Sequence, residues 1–106
     1  MATVLAQVAP AAGQLIDIYQ APVGRNAVVS LLVCNRSATK TNFRAAVAPA
    51  GAPDAVEQYV YYDVLIQGND TFAAPIAISL SASDVIRVYA TDAKLSFSLF
   101  GGESVA

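Results

Sequence analysis

The side chains that could do chemistry in this chain of 106 residues are few. There is no histidine, which removes the commonest general base, the Ser-His-Asp arrangement and the usual zinc ligand. The one cysteine, Cys34, lies between Val33 and Asn35 in an apolar run. With no imidazole to take its proton, it reads as an inert thiol buried in a strand. Eight carboxylates remain, and carboxylates in pairs can hydrolyse glycosides. Most of these sit at turns, where Asp hydrogen-bonds its own backbone, and turn chemistry accounts for Asp70, Asp84 and Asp92 without remainder. A calcium site from loop oxygens such as Asn69 and Asp70 lacks the spaced Asp/Asn/Gly series of an EF-hand loop. The glycines form neither a Gly-x-Gly-x-x-Gly nor a Gly-x-x-x-x-Gly-Lys phosphate loop. The expectation is a protein that is not an enzyme and takes no metal and no cofactor.

Composition points to surfaces instead. The chain is 56% hydrophobic and only 13% charged, about half the ~25% charged share of an ordinary soluble domain. Little charge is left to cover the outside, and contiguous apolar patches are usually covered by a partner. Six basic and eight acidic residues give a net charge of −2, without the basic stripe that nucleic acid favours. The start, Met1 to Leu5, has no basic stretch ahead of its apolar residues, and no apolar run approaches the ~18–20 residues that span a bilayer. Neither an export signal nor a membrane anchor is expected, and maturation in a cytoplasm follows. Asn35-Arg36-Ser37 and Asn69-Asp70-Thr71 match the glycosylation pattern and in that setting are chance matches.

Turn signals recur every 10 to 19 residues, at 21–24, 37–40, 49–53, 68–70, 81–84 and 91–93, with short β-branched and aromatic runs between them. This texture predicts an all-β, single antiparallel β-sandwich of about eight strands, near 3–8, 14–20, 26–36, 41–48, 57–67, 71–80, 84–91 and 94–100. One domain is expected over 14–101, with 1–13 an arm or edge strand and 102–106 a flexible tail.

Alternation assigns faces. Leu95, Phe97 and Leu99 point in, as do Ile86, Val88 and Ala90, and Phe43, Ala45 and Val47. Phe72, Ala74, Ile76, Ile78 and Leu80 form another inward row. Residues 27–34 are apolar on both sides except Ser30, which suits a central strand covered on its outer face too. In the 57–67 strand, Val60, Tyr62, Val64 and Ile66 take the inside, sending Tyr59, Tyr61 and Leu65 outward beside Asp63. Outward Tyr59 and Tyr61 then either pack under the 49–56 loop or form a contact patch, and Tyr89 and Phe100 belong to the same question. Arg36, Lys40 and Arg44 flank one turn as a small basic lip for an acidic partner surface.

The segments 27–36, 41–49, 84–90 and 95–101 together resemble the small virion structural proteins of tailed bacteriophages, including cyanophages. The resemblance is one of strand texture over nearly the whole chain and not of a site motif. It implies an Ig-like or jelly-roll-like sandwich that serves as a capsid decoration (cement) protein, or else as a tail, baseplate or fibre subunit. The partners so implied are the major capsid protein or other virion proteins, with no nucleic acid and no membrane, and the location is the virion. Apolar surface left by low charge predicts a homo-oligomer, with a trimer favoured. From a different class, a carbohydrate-binding receptor module would use exposed aromatics such as Tyr59 and Tyr61 beside Asp63.

Overall fold

Runs of β-branched and aromatic residues interrupted by Gly, Pro, Asn and Asp turns fold here into nine strands, paired throughout antiparallel. In the computed structural model, whose described residues are 3–106, these are β1 (Thr3–Val8), β2 (Gln14–Gln20), β3 (Arg25–Asn35), β4 (Thr41–Ala48), β5 (Tyr59–Ile66), β6 (Thr71–Ala73), β7 (Ile78–Leu80), β8 (Val85–Ala90) and β9 (Leu95–Val105). One sheet has the order β1-β9-β3-β6, with β7 also paired to β3, and the other the order β2-β8-β4-β5. The protein is an all-β sandwich of these two sheets.

The expected strand over 71–80 is present in two pieces, both paired to β3 and separated at 74–77 around Pro75. Proline has no N–H for the ladder and is confined to edges and breaks. Counted as one interrupted strand, β6 and β7 reduce the two orders to 1-8-3-6 and 2-7-4-5. That is the connectivity of a jelly roll, two Greek keys wrapped together.

The core lies between the sheets. Val29, Leu31, Val33, Leu95, Phe97 and Leu99 from one sheet meet Phe43, Ala45, Ile86 and Val88 from the other, all at most 1% exposed. Four rings bridge the layers: Phe43 lies 5.3 Å from Phe72, 6.0 Å from Phe97 and 6.1 Å from Tyr61, and Tyr61 lies 5.3 Å from Phe72. Tilted and edge-to-face pairs at these distances add to what burial alone contributes.

Three expectations about faces are corrected. Ile76, expected inside, is 72% exposed, because the break at 74–77 lifts it out of the alternation. Cys34, expected buried, is exposed; it takes the outer side of β3, opposite Ser96 of β9 and Thr71 of β6. The third lies in β5. Phe43 pairs with Val64 and Ala45 with Tyr61, so Tyr62 and Asp63 together oppose Arg44 alone. This bulge has Asp63 at φ 51°, a left-handed conformation that Asp tolerates better than most residues. It reverses the alternation. Tyr61 turns into the core beside Val64, while Val60 and Tyr62, expected inside, are 49% and 58% exposed.

The end of the chain also differs from expectation. Residues 102–105 continue β9 and pair with β3 back to Arg25. At the other end, β1 is the edge strand of its sheet.

Candidate functional site

The two outer faces of the sandwich differ in kind, and pairing register shows how. On the β2-β8-β4-β5 sheet, Arg44 of β4 stands opposite Tyr89 of β8 and the Tyr62-Asp63 bulge of β5. The Arg44 guanidinium lies 4.2 Å from the Tyr62 ring centroid and 4.6 Å from that of Tyr89. Its Nε donates to Asp63 Oδ1 at 2.6 Å, a bond that secures its positive charge still further. Tyr59 meets Tyr62 edge to face at 5.3 Å and donates its hydroxyl to Asp54 Oδ2 at 3.3 Å. Burial, then that bond, raises the Tyr59 pKa. A planar cation between two rings gains from both quadrupoles. The ion pair itself is a surface one and adds about 1 kcal/mol at most.

The neighbouring row explains why only part of this face is open. Ala46, Ala48 and Val85 are buried although they alternate outward, because the 49–58 segment lies over them. Ala50 N–H donates to Asp84 Oδ1 at 2.9 Å, Arg87 Nη2 reaches Gly51 O at 3.5 Å, and Gln58 Nε2 holds Pro53 O at 2.9 Å. Arg87 also pairs with Asp17 at 2.9 Å. Tyr59 therefore sits at the margin of the loop, and of the two tyrosines expected outward only this one takes the outer face.

The outer face of the other sheet carries no such groups. Its outward positions are Val4 and Gln7 of β1, Ser96, Ser98, Phe100, Gly102 and Ser104 of β9, and Asn26, Val28, Ser30, Leu32 and Cys34 of β3, flanked by Thr71, Ala73 and Ser79. None of these described residues is charged. Val28 is 51% and Val4 53% exposed. The sequence pattern of β3 asks for cover on both sides, yet no segment among the described residues covers this side. Phe100 and Tyr89, grouped together by their outward alternation, thus lie on opposite faces of the molecule.

The expected basic lip is rearranged. Arg44 is drawn into the ring cluster, while Arg36 and Lys40 are exposed at the β3–β4 turn. Lys94, from the β8–β9 turn, joins them: its carbonyl accepts from Arg36 N–H at 2.9 Å and its Nζ donates to Thr39 Oγ1 at 2.9 Å. Sequence separation hid Lys94, since only the register of β3 with β9 brings the two turns together.

The turn itself hangs on Asn35, which is 1% exposed. Its Nδ2 faces the carbonyls of Thr39, Ile66 and Gln67 at 2.8, 3.3 and 3.2 Å, and its Oδ1 accepts from Ser37 N–H and Oγ, both at 3.0 Å. The amide is thereby committed to structure. Asp70, Asp84 and Asp92 each accept turn or neighbouring hydrogen bonds, from Thr71 N–H, Ser81 N–H and Thr41 Oγ1. Among the described residues no three His, Cys, Asp or Glu side chains are placed to share a metal ion. No helix among them is long and apolar enough to cross a membrane.

Comparison with protein-family models, with curated proteins and with solved structures finds no match for this chain.

Proposed function

We propose that this protein is a structural subunit of a tailed-phage particle, a capsid decoration protein that docks on the assembled head and stabilises it. The observation that carries the reading is the cluster of Arg44, Tyr62, Tyr89 and Tyr59 on the open part of the β2-β8-β4-β5 sheet. Tyrosine and arginine are the residues enriched where protein interfaces concentrate their binding energy. Here the arginine is already held in place by Asp63, so little side-chain freedom is lost on docking. Strand texture like that of virion proteins and a jelly-roll connectivity, which viral capsid domains share, point the same way; the fold alone would not, since sandwiches host many functions. Binding only the assembled lattice stabilises that lattice by mass action.

One feature favours a second reading. Tyr62 offers a ring 58% exposed beside Asp63 and Arg44, a combination that suits sugar recognition, and lectin domains also use jelly rolls.

Quantitative mass spectrometry of purified particles tests the proposal. A decoration protein is present at a copy number comparable to the major capsid protein, and Tyr62→Ser weakens its binding to stripped heads about thirtyfold. A copy number far below that of the capsid protein assigns the chain to the tail, baseplate or fibre. Retention on a glycan array that Tyr62→Ser abolishes assigns it to receptor binding.

A further inference from the structure

The uncharged face of the β1-β9-β3 sheet contains a knob beside a notch. Phe100 lies partly buried on the outward side of β9. Two residues on, on the same side, Gly102 leaves the bottom of a shallow hollow of about 430 Å3 that Val28, Ser30, Phe100, Gly101, Glu103 and Ser104 also line, the Glu103 carboxylate itself being turned to the Tyr19 hydroxyl on the other side of the sheet. The adjacent glycines differ in why they are glycine. A side chain on Gly101 would collide with the Val28 carbonyl oxygen, 1.9 Å from where its Cβ would stand, so close strand approach demands that residue. A Cβ on Gly102 would meet nothing within 4 Å. Glycine inside a strand weakens it and often marks where a ligand or another backbone approaches closely, and none of the described residues requires glycine at Gly102.

We infer that this face binds a second copy of the same chain, face to face about a two-fold axis that passes near Gly101, with each Phe100 ring seated over the partner's Gly102. A two-fold contact is isologous, so a surface must complement itself. Knob and notch side by side on one strand satisfy that condition when the two β9 strands run antiparallel across the axis. Charge satisfies it too: a face whose described residues point no charged side chain outward meets its own copy without like-charge repulsion, whereas a charged partner surface would lose hydration here and gain no counter-charge.

Area is sufficient. Four strands at about 4.8 Å spacing and up to eleven residues at about 3.4 Å, less the shorter flanking strands, give roughly 600 Å2 per copy. Both copies together bury about 1,200 Å2, the lower end of stable specific interfaces. The short Ser, Val and Ala side chains allow two sheets to approach at the ~10 Å of stacked sheets. The pair leaves the Arg44 cluster on the opposite sheet free, and it stands whether or not that cluster binds a capsid.

Sedimentation equilibrium of the full chain across a concentration series tests this. The parent forms dimers, and both Gly102→Val, which fills the notch, and Phe100→Ser, which removes the knob, weaken dimerisation about thirtyfold. Thermal melts recorded alongside show whether each variant is folded; a Cβ at Gly102 meets nothing within 4 Å, and if Gly102→Val nevertheless melts early, Phe100→Ser decides the matter. A parent that is monomeric throughout the series overturns the proposal. So does a folded Gly102→Val or Phe100→Ser protein that dimerises like the parent. Particle binding is read in a separate assay, so failure of either proposal is told apart from failure of the other.

Discussion

Tyr61 and Val64 share the core side of β5 although they are three residues apart, an odd spacing that an uninterrupted strand would place on opposite faces. The two-for-one bulge at Tyr62-Asp63 supplies the missing half-period. Val60 is a second extra residue, between the pairs Ala45–Tyr61 and Ala46–Tyr59. Both irregularities fall on an edge strand of the sheet, where they also blunt an otherwise open ladder.

Adjacent tyrosines should therefore respond unequally to truncation. Tyr61→Ser removes a ring packed on Phe43 and Phe72 and should cost about 3 kcal/mol, lowering the melting temperature by roughly 10 °C or more in a domain of this size. Tyr62→Ser removes a mostly exposed ring and its surface contacts with Arg44 and Tyr59, and should lower the melting temperature far less. Equal melting losses for the two would place the bulge elsewhere.

Diluted below the concentration at which it dimerises, the native protein should react at Cys34 with a bulky thiol reagent. The side chain is exposed on an uncharged sheet face, so labelling does not wait for unfolding. At that dilution, a native rate many times slower than that in denaturant would mean that a segment of the chain itself covers that end of β3.

Asn35→Asp should be strongly destabilising. The amide nitrogen donates to carbonyl oxygens at the β3–β4 and β5–β6 turns, and a carboxylate has no proton to donate and repels those oxygens. Leaving buried acceptors unpaired costs about 1–3 kcal/mol, more when a charge replaces the donor. Chemical denaturation should show a lower midpoint with an unchanged slope.

Alkaline pH should loosen the fold through Tyr19. Burial, then a hydrogen bond from its hydroxyl to Glu103 and the charge of that carboxylate, pushes its pKa up to about 12. In the unfolded chain the phenol loses its proton near the ordinary value of about 10. Above that value the unfolded state holds fewer protons than the native one, so stability falls as pH rises. The contribution is complete below pH ~10 and lost by the time pH has passed through about 12. Tyr19→Phe should flatten this part of the stability profile. Tyrosinate absorbance in the native parent should show one more late-titrating ring than in the variant, where raised Tyr59 remains.

The period-two rows in residues 27–34, 85–90 and 95–100 and the regular turn residues between them were enough to determine an all-β sandwich and most of its core, because alternation and turn chemistry are local. The poverty of charge was likewise a property of composition alone. Tertiary structure decided the rest. Whether Asp63 adopts a positive φ depends on which residues of β4 oppose it, and with that the facing of Tyr61 and Tyr62 is settled. Pairing of both β6 and β7 with β3 determines that the 71–80 segment is one broken strand and that the sheets follow jelly-roll order. The same long-range register brings Lys94 to the Arg36 turn. The 49–58 loop lies over Ala46 and Val85 and leaves the outer side of β3 bare, so Cys34, in a run apolar on both sides, is exposed. Local periodicity says that a side chain points to one side or the other; which side is covered depends on segments distant in the chain.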